Sequence, residues 1–183
     1  MSPLAEPAAR SGKTRVLAGI TVPDTPLIAG AMEYARTRSD PYLFNHAVRS
    51  WLFAVRLGQL QGVPHDSEVV AIGTLLHDLG LTNDFTGPKR FEIEGADAAR
   101  AFAREQGLDD RRAQLIWHTV ALNSTPSIAL YDEAEVALST AGIALDFGGL
   151  QYDQISPDEM KSILAAFPRL DMKRAFADRK SVV

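Results

Sequence analysis

The chain has 183 residues, 46% of them hydrophobic and 23% charged, with a net charge of -4 and no cysteine. That length suits one domain with a sizeable core, and the missing cysteines exclude disulfides, cysteine–zinc modules and a cysteine nucleophile and suit a reducing cytoplasm. No basic block and no apolar run of about 18 residues occurs, which argues against nucleic-acid partners and a membrane span.

Residues 1–13 are rich in alanine, proline and serine and read as a disordered tail. Arg15 to Ile20 is short and apolar, and Thr21 to Asp24 reads as a turn. Thr25 and Pro26 give an N-cap and a first helical residue, opening a helix from about Leu27 to Arg38. Asp40-Pro41 repeats that signal and opens a longer helix to about Gln61. Gly62-Val63-Pro64 stops it. Asp66 or Ser67 caps an apolar helix through Val69, Val70, Ala71 and Ile72, predicted to run to Gly80. A polar loop spans Leu81 to Arg90. Phe91 to Gln106 reads as an alanine-rich helix. Asp109 caps the next one, Arg111 to Leu122, which Asn123 to Pro126 breaks. From Glu133 a helical pattern runs to about Ala141, is interrupted at Gly142 and ends near Gly149. Ser156-Pro157-Asp158-Glu159 is a capping box with proline at the first helical position. It opens an amphipathic helix through Met160, Ile163, Leu164 and Phe167. Strand signals are weak. The reading is all-α, one helical domain over 14–175, with residues 176–183 as a frayed tail.

Chemistry concentrates in few residues, because the chain has only 4 histidines. His77 and Asp78 end the apolar run, about 100° apart if the helix continues through them. An imidazole and a carboxylate placed there are costly unless something satisfies both, and a divalent metal would. A surface or capping pair is the other reading. His46 has apolar helix neighbours and Arg49 at i+3 on nearly the same face. It is either a satisfied core histidine or a ligand, with Arg49 binding an anionic or carbonyl part of a substrate. Asp146 lies in an apolar stretch before two glycines, as a turn residue or as a further ligand. His65 and His118 read as surface or structural residues.

These residues and their surroundings resemble the HD-domain superfamily of metal-dependent hydrolases, and more narrowly its cyanamide hydratase-like branch. The matching stretches are Asn45-His46-Ala47-Val48-Arg49-Ser50, Leu75 to Thr82, Arg90 to Arg100, Ile116-Trp117 and Gly142 to Gly149. They extend over most of the chain, about Asp40 to Leu150. The resemblance implies an α-helical bundle of the HD type holding one divalent transition metal, Zn2+ or Fe2+. His46, His77, Asp78 and Asp146 would be its ligands. It implies addition of water to a nitrile- or cyanamide-like small molecule. Glu94 is then the candidate proton shuttle, against the plain reading of a first-turn carboxylate on the helix dipole. Glu92 reads as solvent-facing. Lys89, Arg90 and Phe85 would line the pocket entrance or be merely solvated.

One position departs from the branch. Similar proteins carry a histidine in a Leu-His-Thr or Leu-His-Ser segment after the Ile-Trp helix, whereas this chain has Leu122-Asn123-Ser124. An amide is no general base near neutral pH, but Asn123 can hydrogen-bond a substrate. Three functions are therefore kept open. One is a metal-dependent lyase (hydratase) or hydrolase of a small nitrogen-containing molecule. The second is a phosphohydrolase with Arg49, Lys89 and Arg90 on the phosphate. The third is a metal-bound binding protein without catalysis. A homo-oligomer remains open.

Overall fold

The computed structural model describes residues 12–180, so the tail read at 1–13 falls outside it except for Gly12 and Lys13. The fold is all-α, with one small antiparallel hairpin ahead of the helices. The hairpin, absent from the sequence reading, pairs β1 (Thr14–Leu17) with β2 (Ile20–Pro23), Leu17 opposite Ile20. Its turn places Ala18 and Gly19 at φ +50° and +86°. Two-residue hairpin turns favour positive φ at both positions, and alanine there gives no turn signal. Ile20 and Val22 are buried, which holds the hairpin on the helical core.

Nine helices follow among the described residues: α1 (Pro26–Arg38), α2 (Pro41–Gln61), α3 (Ser67–Leu75), α4 (Phe91–Glu105), α5 (Asp110–Ala121), α6 (Pro126–Ala129), α7 (Ala134–Gly148), α8 (Pro157–Ala166) and α9 (Met172–Lys180). Their starts follow local chemistry. The Thr25 hydroxyl accepts from the Ile28 N–H, and Asp66 accepts from the N–H groups of Glu68 and Val69. Ser156 and Glu159 form the capping box.

The centre of the bundle is α2. Every residue from His46 to Val55 is buried, as expected of a helix enclosed on all sides. It packs chiefly on α7, while α4 packs on α5 and α3 lies between α5 and α7. Gly142 does not interrupt α7. It is the point where α7 meets α2: a Cβ there would run into the Ser50 carbonyl and lie 2.6 Å from the Ala54 nitrogen. The core joins Trp51, Phe53 and Leu57 of α2 to Ile72 of α3 and Ile116 of α5. No helix among the described residues is long and apolar enough to cross a membrane.

Two further differences concern the site. The apolar helix predicted to reach Gly80 ends five residues earlier, at Leu75. The segment read as a frayed tail from residue 176 continues as α9, in which Met172 and Phe176 are buried against Leu43. The sequence lost α9 because only two apolar residues, one turn apart, dock it.

Candidate functional site

His77 and Asp78 sit in a tight turn, not on a helix. The Leu76 N–H closes α3 on the Ile72 carbonyl, and Leu79–Leu81 forms a short 3-10 turn on the Asp78 carbonyl. A helix end leaves carbonyls without intrahelical partners. His77 uses one of them: its Nδ1–H donates to the Thr74 carbonyl at 2.7 Å. The Asn123 amide donates to the His77 carbonyl at 3.0 Å and to Val120 at 2.9 Å. The turn is thus braced on both sides.

His46 approaches from α2, 2% exposed. Its Nδ1 lies 2.6 Å from Asp146 Oδ2. Burial pushes the Asp146 carboxyl upward, but hydrogen bonds from His46 and Arg49, and their charge, outweigh it and hold its pKa at about 2. A carboxylate only accepts, so His46 donates through Nδ1. Both rings have therefore committed Nδ1–H to acceptors, and their Nε2 atoms face each other at 3.2 Å. Asp78 Oδ2 is 3.2 Å from His77 Nε2 and 3.7 Å from His46 Nε2. Two lone pairs at that distance beside a carboxylate favour a cation between them. Burial opposes protonation of His77, yet the adjacent Asp78 carboxylate raises its pKa. A divalent ion meets the same demand, and ligand atoms of His46, His77 and Asp78 lie within 4.8 Å of one another. The donor set of two imidazoles and a carboxylate fits such an ion.

Asp146 is not among the three that converge. It stands behind His46, on the Nδ1 side, in an enclosed network. Arg49 grips it through Nε at 2.8 Å and Nη2 at 2.7 Å. Arg49 is fully buried and also donates to the carbonyls of Phe167 and Pro168, so its guanidinium is committed within the protein.

A cavity of about 670 Å³ opens over the cluster. His46, His77 and Asp78 form part of its lining, with apolar walls from Phe91, Ile143, Phe147 and Phe176. Of the other residues expected at the site, Asn123 and Arg90 line this cavity. Glu94, Lys89 and Phe85 do not. Glu94 accepts from the Lys89 N–H, Lys89 pairs with Asp97, and Phe85 stacks on Tyr34. His65 and His118 also lie outside the lining.

The acidic residue of α4 that enters the cavity is Glu92, 3% exposed, and not the solvent-facing residue the sequence suggested. Burial pushes its carboxyl upward, but hydrogen bonds from Arg90 and Ser124 prevail and lower its pKa. A signal was present: Glu92 shares a face with Gly95, Ala96 and Ala99, at i+3, i+4 and i+7, and those small residues are buried. Ser124, also missed, donates to Glu92 Oε1 at 2.6 Å.

The family model of the HD domain matches residues 43–165, two thirds of the sequence, from within α2 to within α8. No curated protein matches it.

Proposed function

As the chain belongs to the HD domain family, we propose that it is a metal-dependent enzyme that adds water to a small nitrogen-bearing molecule, either hydrating a nitrile- or cyanamide-like group or hydrolysing a related bond. HD domain proteins bind divalent metals and are typically metal-dependent hydrolases. In this reading His46, His77 and Asp78 hold one Zn2+ or Fe2+, and Asp146 orients His46 from behind. Such an ion, when bound, lowers the pKa of a coordinated water and polarises the substrate. Asn123 holds the His77 main chain, and Phe91, Ile143, Phe147 and Phe176 exclude water around the reacting group.

The observation that carries the substrate choice is the charge of the lining. Arg90 is its one arginine or lysine side chain, and it is paired with Glu92. Phosphate recognition relies on charge-assisted donors. Arg49 and Lys89, the other cations such a role would need, are engaged by Asp146 and Asp97 away from the lining. Two carboxylates, imidazoles and apolar walls suit a neutral nitrogen compound better than a phosphate ester.

The test is a substrate panel on protein reconstituted with Zn2+ or Fe2+: cyanamide, benzonitrile and benzamide against p-nitrophenyl phosphate and a nucleoside monophosphate. Turnover of a nitrogen compound that Asp78→Asn abolishes is the expected result. Faster turnover of a phosphate ester would overturn the reading in favour of a phosphohydrolase. Metal binding with no turnover of any of the five would leave a binding protein.

A further inference from the structure

Glu92 is the one carboxylate of the cavity lining outside the three-residue cluster. Its side chain is fixed from two sides. Arg90 donates to Oε1 at 2.7 Å and to Oε2 at 3.2 Å, and Ser124 donates to Oε1 at 2.6 Å. A carboxylate offers about four acceptor positions. Arg90 and Ser124 take three, and the Glu92 main-chain N–H also interacts with the group, so the orientation of the carboxylate in the lining is set before any ligand arrives. The Arg90 side chain is itself 78% exposed while that of Glu92 is 4% exposed. Both line the cavity, with Arg90 on its solvent side and Glu92 enclosed. A carboxylate that served only the dipole of α4 would need neither burial nor Ser124.

The corner that holds Glu92 also holds the cluster. Asn123 donates to the His77 carbonyl, and the next residue, Ser124, donates to Glu92. A single two-residue step thereby fixes both polar features of one cavity, with apolar walls around them. We propose that Glu92 is the substrate anchor of this pocket and selects molecules that present N–H donors, such as amides, amidines or ureas, on an apolar body. This rests on the reading of the cavity as the substrate site. The walls of Phe91, Ile143, Phe147 and Phe176 receive the body. The carboxylate accepts the N–H and discriminates against an anionic group of the same shape.

Benzamidine and benzoate share a ring and a planar head and differ in the donors and charge that head presents. Calorimetric titration of metal-free protein with each is the test, on the wild type, Glu92→Gln and Ser124→Ala. The wild type is expected to prefer benzamidine. Glu92→Gln should cost benzamidine about tenfold in affinity, the scale of one charge-assisted hydrogen bond, and leave benzoate unchanged or improved. Ser124→Ala should lose less, in the same direction. The proposal is overturned if the wild type binds neither probe or prefers benzoate. It is equally overturned if folded Glu92→Gln binds benzamidine as the wild type does, or, should that variant not fold, if Ser124→Ala does. Neither metal nor turnover enters this measurement, so its failure leaves the hydration reading standing, and absence of nitrile turnover leaves the anchor standing.

Discussion

The Nε2 atoms of His46 and His77 face each other across 3.2 Å, and each ring is held in place by an acceptor on its Nδ1. Those acceptors differ: a main-chain carbonyl for His77, the Asp146 carboxylate for His46. A carboxylate behind a ligating histidine sets its tautomer and raises its basicity.

The protein purified without chelators is therefore expected to carry about one transition metal per chain. His77→Ala should abolish binding, because a converging donor is gone. Asp146→Asn should retain the ion with affinity weakened by about 10–100-fold, the range seen when an orienting partner is lost. Elemental analysis and competition with a chromogenic chelator, on variants shown to be folded by circular dichroism, measure both. Equal loss in the two variants would mean that Asp146 ligates directly.

Asp146 also sets an acid limit on stability. Its folded pKa is about 2 against an ordinary value of 3.8, a depressed value. Its contribution of about 2 kcal/mol is present above the ordinary value and is lost as pH falls from there through the folded value. Asp146→Asn leaves Arg49 buried without its counter-charge and should cost about 3 kcal/mol near neutrality. Denaturant unfolding of metal-free protein should show this gap to the wild type narrowing between about pH 4 and about pH 2. A gap that stays constant would rule out the ion pair as its source.

Gly142→Ala should test the seam between α2 and α7. The added methyl meets the Ser50 carbonyl and the Ala54 backbone, neither of which is a flexible side-chain end. Overpacking of this kind costs about 1–3 kcal/mol, or roughly 2–4 °C in melting temperature for each kcal/mol at this size. Metal affinity should fall with it, since His46 and Asp146 stand on the two helices being pushed apart. An unchanged melting temperature would show slack at the seam.

The sequence carried most of the helical frame because helix starts are local. Thr25-Pro26, Asp40-Pro41 and the Ser156 to Glu159 box all mark starts found in the structure. It carried the convergence of His46, His77 and Asp78 less directly, through their types and apolar settings. What it did not carry depends on docking. Glu92 and Glu94 are two residues apart, about 200° around a helix, and their identities alone do not say which turns inward. That is decided where Gly80 meets the Phe91 carbonyl, an approach so close that a Cβ would collide, and where Ser124 reaches Glu92. The end of α3 at Leu75 was hidden for a related reason: the apolar run continues through Leu76 and Leu79, which remain buried after the helix has stopped.

Arg49 touches more than Asp146. Its guanidinium donates to the carbonyls of Phe167 and Pro168 and to the sulfur of Met172, at the start of α9. One turn further along, Phe176 of the same helix forms part of the cavity wall and packs edge-on to His46 at 5.6 Å. Displacing α9 would do more than widen the entrance. It would admit water to the Arg49–Asp146 pair, raise the local dielectric and weaken the hold on His46. Access to the cavity and rigidity of the imidazole in its lining are thus opposed, so a widely open pocket comes with a loosened His46.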